Sequence, residues 1–139
     1  MSSDARLMCG LTLVLVPTIV YGGLTVLNIV TNGMLGTPGP RKLSEAQIAF
    51  YRAGHAHAGV LTLLSLFLQL AVDSASLPPF LVWPIRAGAI AAAILVSGGF
   101  FAVAHVRSLR FLLYAGAALV AIVTLAVGIG LIRSSQSIL

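Results

Sequence analysis

Four long apolar segments, separated by short polar ones, organise the chain. The apolar segments cover residues 7–30, 45–72, 81–105 and 111–132. Each is as long as or longer than the roughly 20 residues with which an α-helix crosses the hydrocarbon core of a bilayer. None shows the short alternating pattern of a transmembrane barrel strand. The pattern predicts an all-α fold, a four-helix integral membrane bundle, as one membrane domain over 1–139.

Local signals mark the ends of the predicted helices. The connection 31–43 is rich in Gly and Pro, which break helices and strands. Ser44 followed three residues later by Gln47 predicts a capping box at the start of the second helix. That helix is longer than the hydrocarbon requires, so Tyr51 and Arg52 are expected in the interface. Pro17 predicts a kink in the first helix.

Composition and charge favour a bilayer as the solvent. Of the 139 residues, 59% are hydrophobic and 8% are charged, whereas a soluble domain has about 25% charged residues. The net charge of +5 does not indicate nucleic acid, because the basic residues are scattered near segment ends rather than clustered on one face.

The same basic residues predict how the chain is oriented. Arg41, Lys42, Arg107 and Arg110 lie in the two connections on one side. The positive-inside rule places these connections in the cytoplasm. We expect an integral membrane protein of the bacterial inner membrane, with the lipid bilayer as its partner. Cys9 cannot form a disulfide bond within the chain, because the sequence contains no second cysteine.

Polar residues of the first helix recur at spacings of three and four. This spacing places them on one stripe of the helix. The stripe is either a seam against neighbouring helices or the wall of a cavity. Its members are Thr18, Tyr21, Thr25, Asn28 and Asn32.

The segment 52–59, Arg-Ala-Gly-His-Ala-His-Ala-Gly, holds two of the three histidines. Residues two apart on a helix point about 200° apart, so His55 and His57 do not bind one ion from the same helix. Metal-binding helices use i, i+4 spacing instead. The sequence has no CxxC and no HExxH motif. The two histidines therefore have separate roles.

His57 falls on an apolar face of small residues, together with Gly54 and Leu61. A neutral imidazole in such a setting suits an axial haem ligand. Gly54 and Ala58 flank it and would leave room for a flat macrocycle. The alternative is a hydrogen bond to a neighbouring helix.

His55 falls on the polar face of the same helix, with Arg52. These two side chains are candidates for contact with haem propionates, or with a neighbouring helix. His105 is expected near the same membrane side, as an interfacial residue.

Three stretches together resemble a known family. Ala56-His57-Ala58-Gly59, preceded by a basic patch and a Pro/Gly segment, is similar to the second helix of the membrane-embedded styrene oxide isomerases. Residues 27–30, with Gly33 beyond them, resemble the end of that family's first helix. Residues 97–101, Ser-Gly-Gly-Phe-Phe, resemble the middle of its third.

The resemblance implies a specific cofactor and reaction. Members of the family are four-helix membrane proteins that form trimers and hold haem b between subunits through a histidine of the second helix. Their ferric iron acts as a Lewis acid on an epoxide oxygen, the ring opens, a hydride shifts and an aldehyde results. By this match His57 is the axial ligand to the iron. The substrate is a small hydrophobic epoxide drawn from the bilayer.

The sequence departs from the family at two candidate catalytic positions. Leu63 stands where the family has an asparagine, and Phe101 stands where it has a tyrosine. In the family those polar groups orient the epoxide. The candidates to replace them are Tyr21, Asn28, Thr62 and Ser97.

Three functions are therefore open. The first is a haem-dependent epoxide isomerase. The second is a non-catalytic haem protein for electron transfer or gas sensing, in which His55 or His105 supplies a second axial ligand. The third is a cofactor-free accessory subunit of a larger membrane complex.

Overall fold

The fold, obtained as a computed structural model, is described for residues 1–31 and 43–136. It contains four long helices: α1 (Ser3–Val30), α2 (Glu45–Val72), α3 (Pro79–Val103) and α4 (Arg110–Gln136). A 3₁₀ turn, Arg107–Leu109, precedes α4. All four helices are long and apolar enough to cross a membrane, and the described segments contain no strand. The predicted all-α four-helix membrane bundle is confirmed.

The largest differences from the predicted helix boundaries are near the two termini of the chain. Helix α1 begins at Ser3 rather than at residue 7 because the Ser2 hydroxyl accepts a hydrogen bond from the Ala5 N–H, as an N-cap does. Helix α4 continues to Gln136 rather than stopping at residue 132. Helix α3 ends at Val103, two residues earlier than predicted.

The start of α2 is as predicted. The Ser44 hydroxyl accepts a hydrogen bond from the Gln47 N–H at 3.3 Å. The Gln47 side chain in turn accepts one from the Ser44 N–H at 3.0 Å. This reciprocal arrangement is the capping box. Asn32, Arg41 and Lys42 lie outside the described residues, so the expectations for the connection and for membrane orientation stay predictions.

Each helix packs mainly on the next one in sequence, so α3 lies between α2 and α4. Small residues allow these helices to approach closely. Gly116 of α4 lies against Val96 of α3, and Gly99 of α3 lies against Leu113 of α4. The apolar core cluster formed by α2, α3 and α4 consists of Leu68, Val72, Ile85, Ala89, Val123 and Val127.

A polar network joins the end of α2 to the beginning of α3. Arg86 is 2% exposed and Gln69 is fully buried. The Arg86 guanidinium donates to the Gln69 backbone carbonyl at 2.8 Å and to the Asp73 carboxylate. The Gln69 amide donates to the Arg86 backbone carbonyl at 2.9 Å. A basic residue near a segment end, such as Arg86, is expected to contact lipid headgroups. The structure buries Arg86 instead, because Gln69 and Asp73 lie one turn apart on α2 and both bind its guanidinium.

Helix α1 joins this network through its cap. The Ser2 N–H donates to Asp73 Oδ2 at 2.6 Å, and the Ser2 hydroxyl donates to Asp73 Oδ1 at 2.7 Å. These hydrogen bonds, followed by the Arg86 guanidinium, hold the pKa of Asp73 at about 2, below its ordinary 3.8. One carboxylate therefore connects the starts of α1 and α3 to the end of α2.

The lowered pKa of Asp73 makes stability depend on pH in a defined direction. A carboxyl group whose pKa is lower in the folded state stabilises the fold above its unfolded pKa, and this contribution is lost as the pH falls through the folded pKa. We expect the thermal midpoint of the detergent-solubilised protein to fall as the pH goes from 3.8 to about 2. Asp73→Asn should lack that part of the fall. An identical pH profile for the two proteins would contradict the network.

The α3–α4 contact at Gly116 has no room for a side chain. A Cβ built there lies 2.7 Å from Val96 Cγ2 and 2.8 Å from the Val96 backbone nitrogen. Gly116→Ala should destabilise the bundle by about 1–3 kcal/mol, as overpacking typically does. The control is Gly128→Ala in the same helix, where no atom lies within 4 Å. Equal unfolding midpoints for the two variants in detergent would show that the contact is not close.

Candidate functional site

An apolar groove between α2 and α4 is the candidate site. It has a volume of about 400 Å³ and lies over α3. His57 is exposed in this groove. The other lining residues are Leu61, Val96, Phe100, Leu113, Tyr114, Ala117 and Val120. The polar side-chain atoms that line the groove therefore belong to His57 and Tyr114.

The orientation of the His57 ring is fixed by its own helix. Nδ1 lies 2.8 Å from the Ala53 carbonyl oxygen. A carbonyl only accepts, so Nδ1 carries a proton, and in the neutral ring Nε2 keeps its lone pair. The ring also packs on Phe100, with centroids 4.8 Å apart. Metal-binding histidines are typically oriented in this way, by a hydrogen bond from the other ring nitrogen.

The other two histidines lie elsewhere. His55 packs between α2 and α1, where a Cβ built on Gly23 would lie 2.6 Å from the His55 ring. His105 Nε2 lies 2.8 Å from the Tyr51 hydroxyl. Across 1–31 and 43–136, no group of three or more His, Cys, Asp or Glu side chains is placed to hold a metal ion. His57 is thus the one histidine among the described residues that line the groove.

Gly54 and Ala58 do not line the His57 groove. A Cβ built on Gly54 would lie 3.1 Å from both Phe100 Cβ and Phe101 Cζ, so the open side of this glycine is filled by α3. Ala58 lines a second cavity of about 270 Å³ among α1, α2 and α3. The space beside His57 comes instead from the separation of α2 and α4.

The candidate catalytic positions are not gathered around His57. The side chains of Tyr21 and Leu63 are 73% and 68% exposed on the outside of the chain. Asn28 is half-buried in α1. Phe101 lines the second cavity, together with Thr62 and Ser97.

The polar stripe of α1 is divided between two environments. Thr18 lines the second cavity, while Tyr21 and Thr25 are exposed. The hydroxyls of Thr18 and Thr25 donate to carbonyls of their own helix, those of Leu15 and Tyr21. Thr18 is thus a member of the stripe that lines a cavity.

Sequence reasoning missed three residues near His57. Phe100 supports the His57 ring, and Tyr114 brings a hydroxyl to the groove. Arg107 lines a neighbouring cavity at the same end of α2. The sequence does place Tyr114 four residues after Arg110, so the two side chains are predicted to lie on the same side of α4. Nothing in the sequence indicated that this side faces α2.

Comparison with known proteins gives no relative. No protein-family model, curated protein or solved structure matches the chain. The functional argument therefore relies on the geometry of the groove and on the short motifs around His57.

The hydrogen bond to Ala53 makes a prediction about the His57 tautomer. In ligand-free protein with ¹⁵N-labelled histidine, we expect His57 to be protonated at Nδ1 and not at Nε2, because the carbonyl cannot donate. Long-range ¹H–¹⁵N correlations distinguish the two nitrogens. The spectrum of His57→Ala assigns the signal. A His57 protonated at Nε2 alone would mean that the Nδ1 lone pair points at the carbonyl, which contradicts the proposed geometry.

Proposed function

We propose that this chain is a membrane haem protein in which His57 is the axial ligand of haem b. The observation that carries the proposal is the His57 ring itself. Its Nδ1 is bound to the Ala53 carbonyl, and its Nε2 is left with a lone pair in an apolar groove. A histidine that served only to join helices would bind a neighbouring helix, whereas His57 binds its own.

The donor set of the groove fits a haem better than a bare metal ion. Structural zinc takes four protein ligands and catalytic zinc takes three, while haem iron needs only one or two protein ligands because the macrocycle supplies four nitrogens. The groove offers one imidazole, walls that are almost entirely apolar, and the Phe100 ring beside the ligand. The residues present therefore fit the group.

We propose further that the protein isomerises a small apolar epoxide to a carbonyl compound. Bound ferric haem would supply a Lewis acid for the epoxide oxygen. Leu61, Leu113 and Val120 would exclude water from the reacting molecule. The Tyr114 hydroxyl is the side-chain donor in the groove that could orient the substrate oxygen, in place of the polar groups that Leu63 and Phe101 lack.

The proposal includes a homo-oligomer, with a trimer favoured by the family resemblance, in the inner membrane of a bacterium. A second copy would cover the open side of the groove, where Tyr114 is 71% exposed. It would also cover the exposed Tyr21 of α1. An apolar substrate would enter from the bilayer.

The visible spectrum of the purified protein tests haem binding. Protein produced with ample haem should show a Soret band, and His57→Ala should lose most of it because the axial ligand is gone. His55→Ala and His105→Ala should keep the band, since neither ring lines the groove. Added imidazole should restore part of the band in His57→Ala if the groove is intact.

The same spectra separate the alternatives. A five-coordinate ferric spectrum supports the enzyme, which needs an open position on the iron. A bis-histidine spectrum would favour electron transfer or gas sensing. No Soret band in the wild type would overturn both haem functions and leave the accessory-subunit hypothesis.

A further inference from the structure

A third, more polar cavity lies beside the His57 groove, toward the start of α2. Phe50 lines this cavity, which has a volume of about 440 Å³. Its ring centroid lies 6.4 Å from that of Phe100, which lines the groove. The two aromatic rings therefore mark where the groove meets the cavity. We call this polar cavity the mouth, and define it by Gln47, Phe50, Ala104, His105 and Arg107.

Two of the polar side chains in the mouth already have partners. The Gln47 amide donates to the Ala104 carbonyl at 3.1 Å, and His105 is bonded to Tyr51. Arg107 is exposed. In the segments 1–31 and 43–136, every ion pair involves Asp73, so Arg107 has none.

Arg107 is the charged side chain among the described residues that line the mouth. The chain has three acidic residues, Asp4, Glu45 and Asp73. Asp73 pairs with Arg86 at the far end of α2, and Asp4 is in the first turn of α1 at that same end. Glu45, between the lining residues Ser44 and Ala46, is therefore the acidic side chain at this end of α2. Arg107 is exposed and forms no ion pair within the described segments, so it can take an anionic partner, above all a carboxylate or phosphate.

The distance between groove and mouth suits one ligand that occupies both. Phe50 and His57 are seven residues apart on α2, which places them on the same side of the helix at an axial separation of about 10 Å. A ligand held at His57 that extends about 10 Å along α2 would reach the mouth. Carboxylate groups at that end of the ligand would be near Arg107.

We infer that Arg107 binds the carboxylate groups of the ligand that His57 coordinates. This inference rests on the proposed function, under which the ligand is haem b and the carboxylates are its propionates. It replaces Arg52 in the role that the sequence suggested. Arg52 lies about 140° around α2 from His57 and does not line the groove or the mouth.

A comparison of two haems tests the inference. Wild type and Arg107→Ala are produced without haem and titrated with haem b and with its dimethyl ester, in which both carboxylates are blocked. Arg107→Ala should bind haem b roughly fivefold to tenfold more weakly than wild type, as expected for a charge-assisted pair. The two proteins should bind the ester equally, because the ester has no charge for Arg107 to contact. Arg107→Lys should recover part of the loss.

Matched variants control for general charge effects. Arg133→Ala removes the same charge from the last turn of α4 and should leave both affinities unchanged. Arg52→Ala tests the competing assignment. If Arg107→Ala weakens haem b and ester equally, or if only Arg52→Ala weakens haem b, the inference is wrong.

Further outcomes are distinguishable. A wild type that binds neither haem overturns the proposed function, and the inference with it. A wild type that binds both, with Arg107→Ala indistinguishable from it, overturns the inference alone. If Arg107→Ala does not fold, Arg107→Gln takes its place, because it keeps a polar side chain of similar reach and removes the charge.

Discussion

The structure depends on the requirement that polar groups inside a bilayer find their partners within the protein. Lipid offers no hydrogen bonds, so each unsatisfied donor or acceptor costs several kcal/mol in the hydrocarbon region. Arg86 shows how far the fold meets the requirement, since its two terminal nitrogens have partners while its Nε has none within 1–31 and 43–136. Its guanidinium is bonded to the Gln69 backbone and to Asp73, and this pairing positions α1, α2 and α3 relative to one another. Exposed threonines of α1 meet the requirement through carbonyls of their own helix.

His57 meets the same requirement with only one of its two ring nitrogens. Its Nδ1 is hydrogen-bonded to the Ala53 carbonyl. That bond leaves Nε2 of the neutral ring with a lone pair in a groove whose side-chain donor is the Tyr114 hydroxyl and whose other walls are apolar. A group that is costly to leave in lipid is expected to have a function. Metal coordination satisfies a lone pair without requiring a donor, which is why the geometry favours an axial ligand over a structural histidine.

The sequence was sufficient to predict the four helices, but not to predict which of their faces pack against each other. Segment length and apolar content predicted all four spans, and Ser44 and Gln47 predicted the cap of α2. The helical repeat also separated His55 from His57 correctly, since this depends on a single helix. It could not predict that Phe100 and Phe101 fill the space beside Gly54, or that Arg86 turns inward to Gln69. Those contacts depend on the register between helices, which the periodicity of one helix does not determine.

The two cavities beside α2 show that the register between helices determines which side chains share a cavity. Phe100 and Phe101 are consecutive residues, yet one lines the His57 groove and the other lines the cavity among α1, α2 and α3. The second cavity contains hydroxyl groups, including the Ser97 hydroxyl, which has no hydrogen bond within 1–31 and 43–136. A neutral hydroxyl is a poor ligand for iron, whereas an imidazole with a free lone pair is a good one. Phe101, where the resemblance would place a substrate-orienting group, is thus separated from His57 by the α2–α3 interface. Under the proposed function, a substrate beside His57 would therefore meet Tyr114 of α4 rather than side chains of α1.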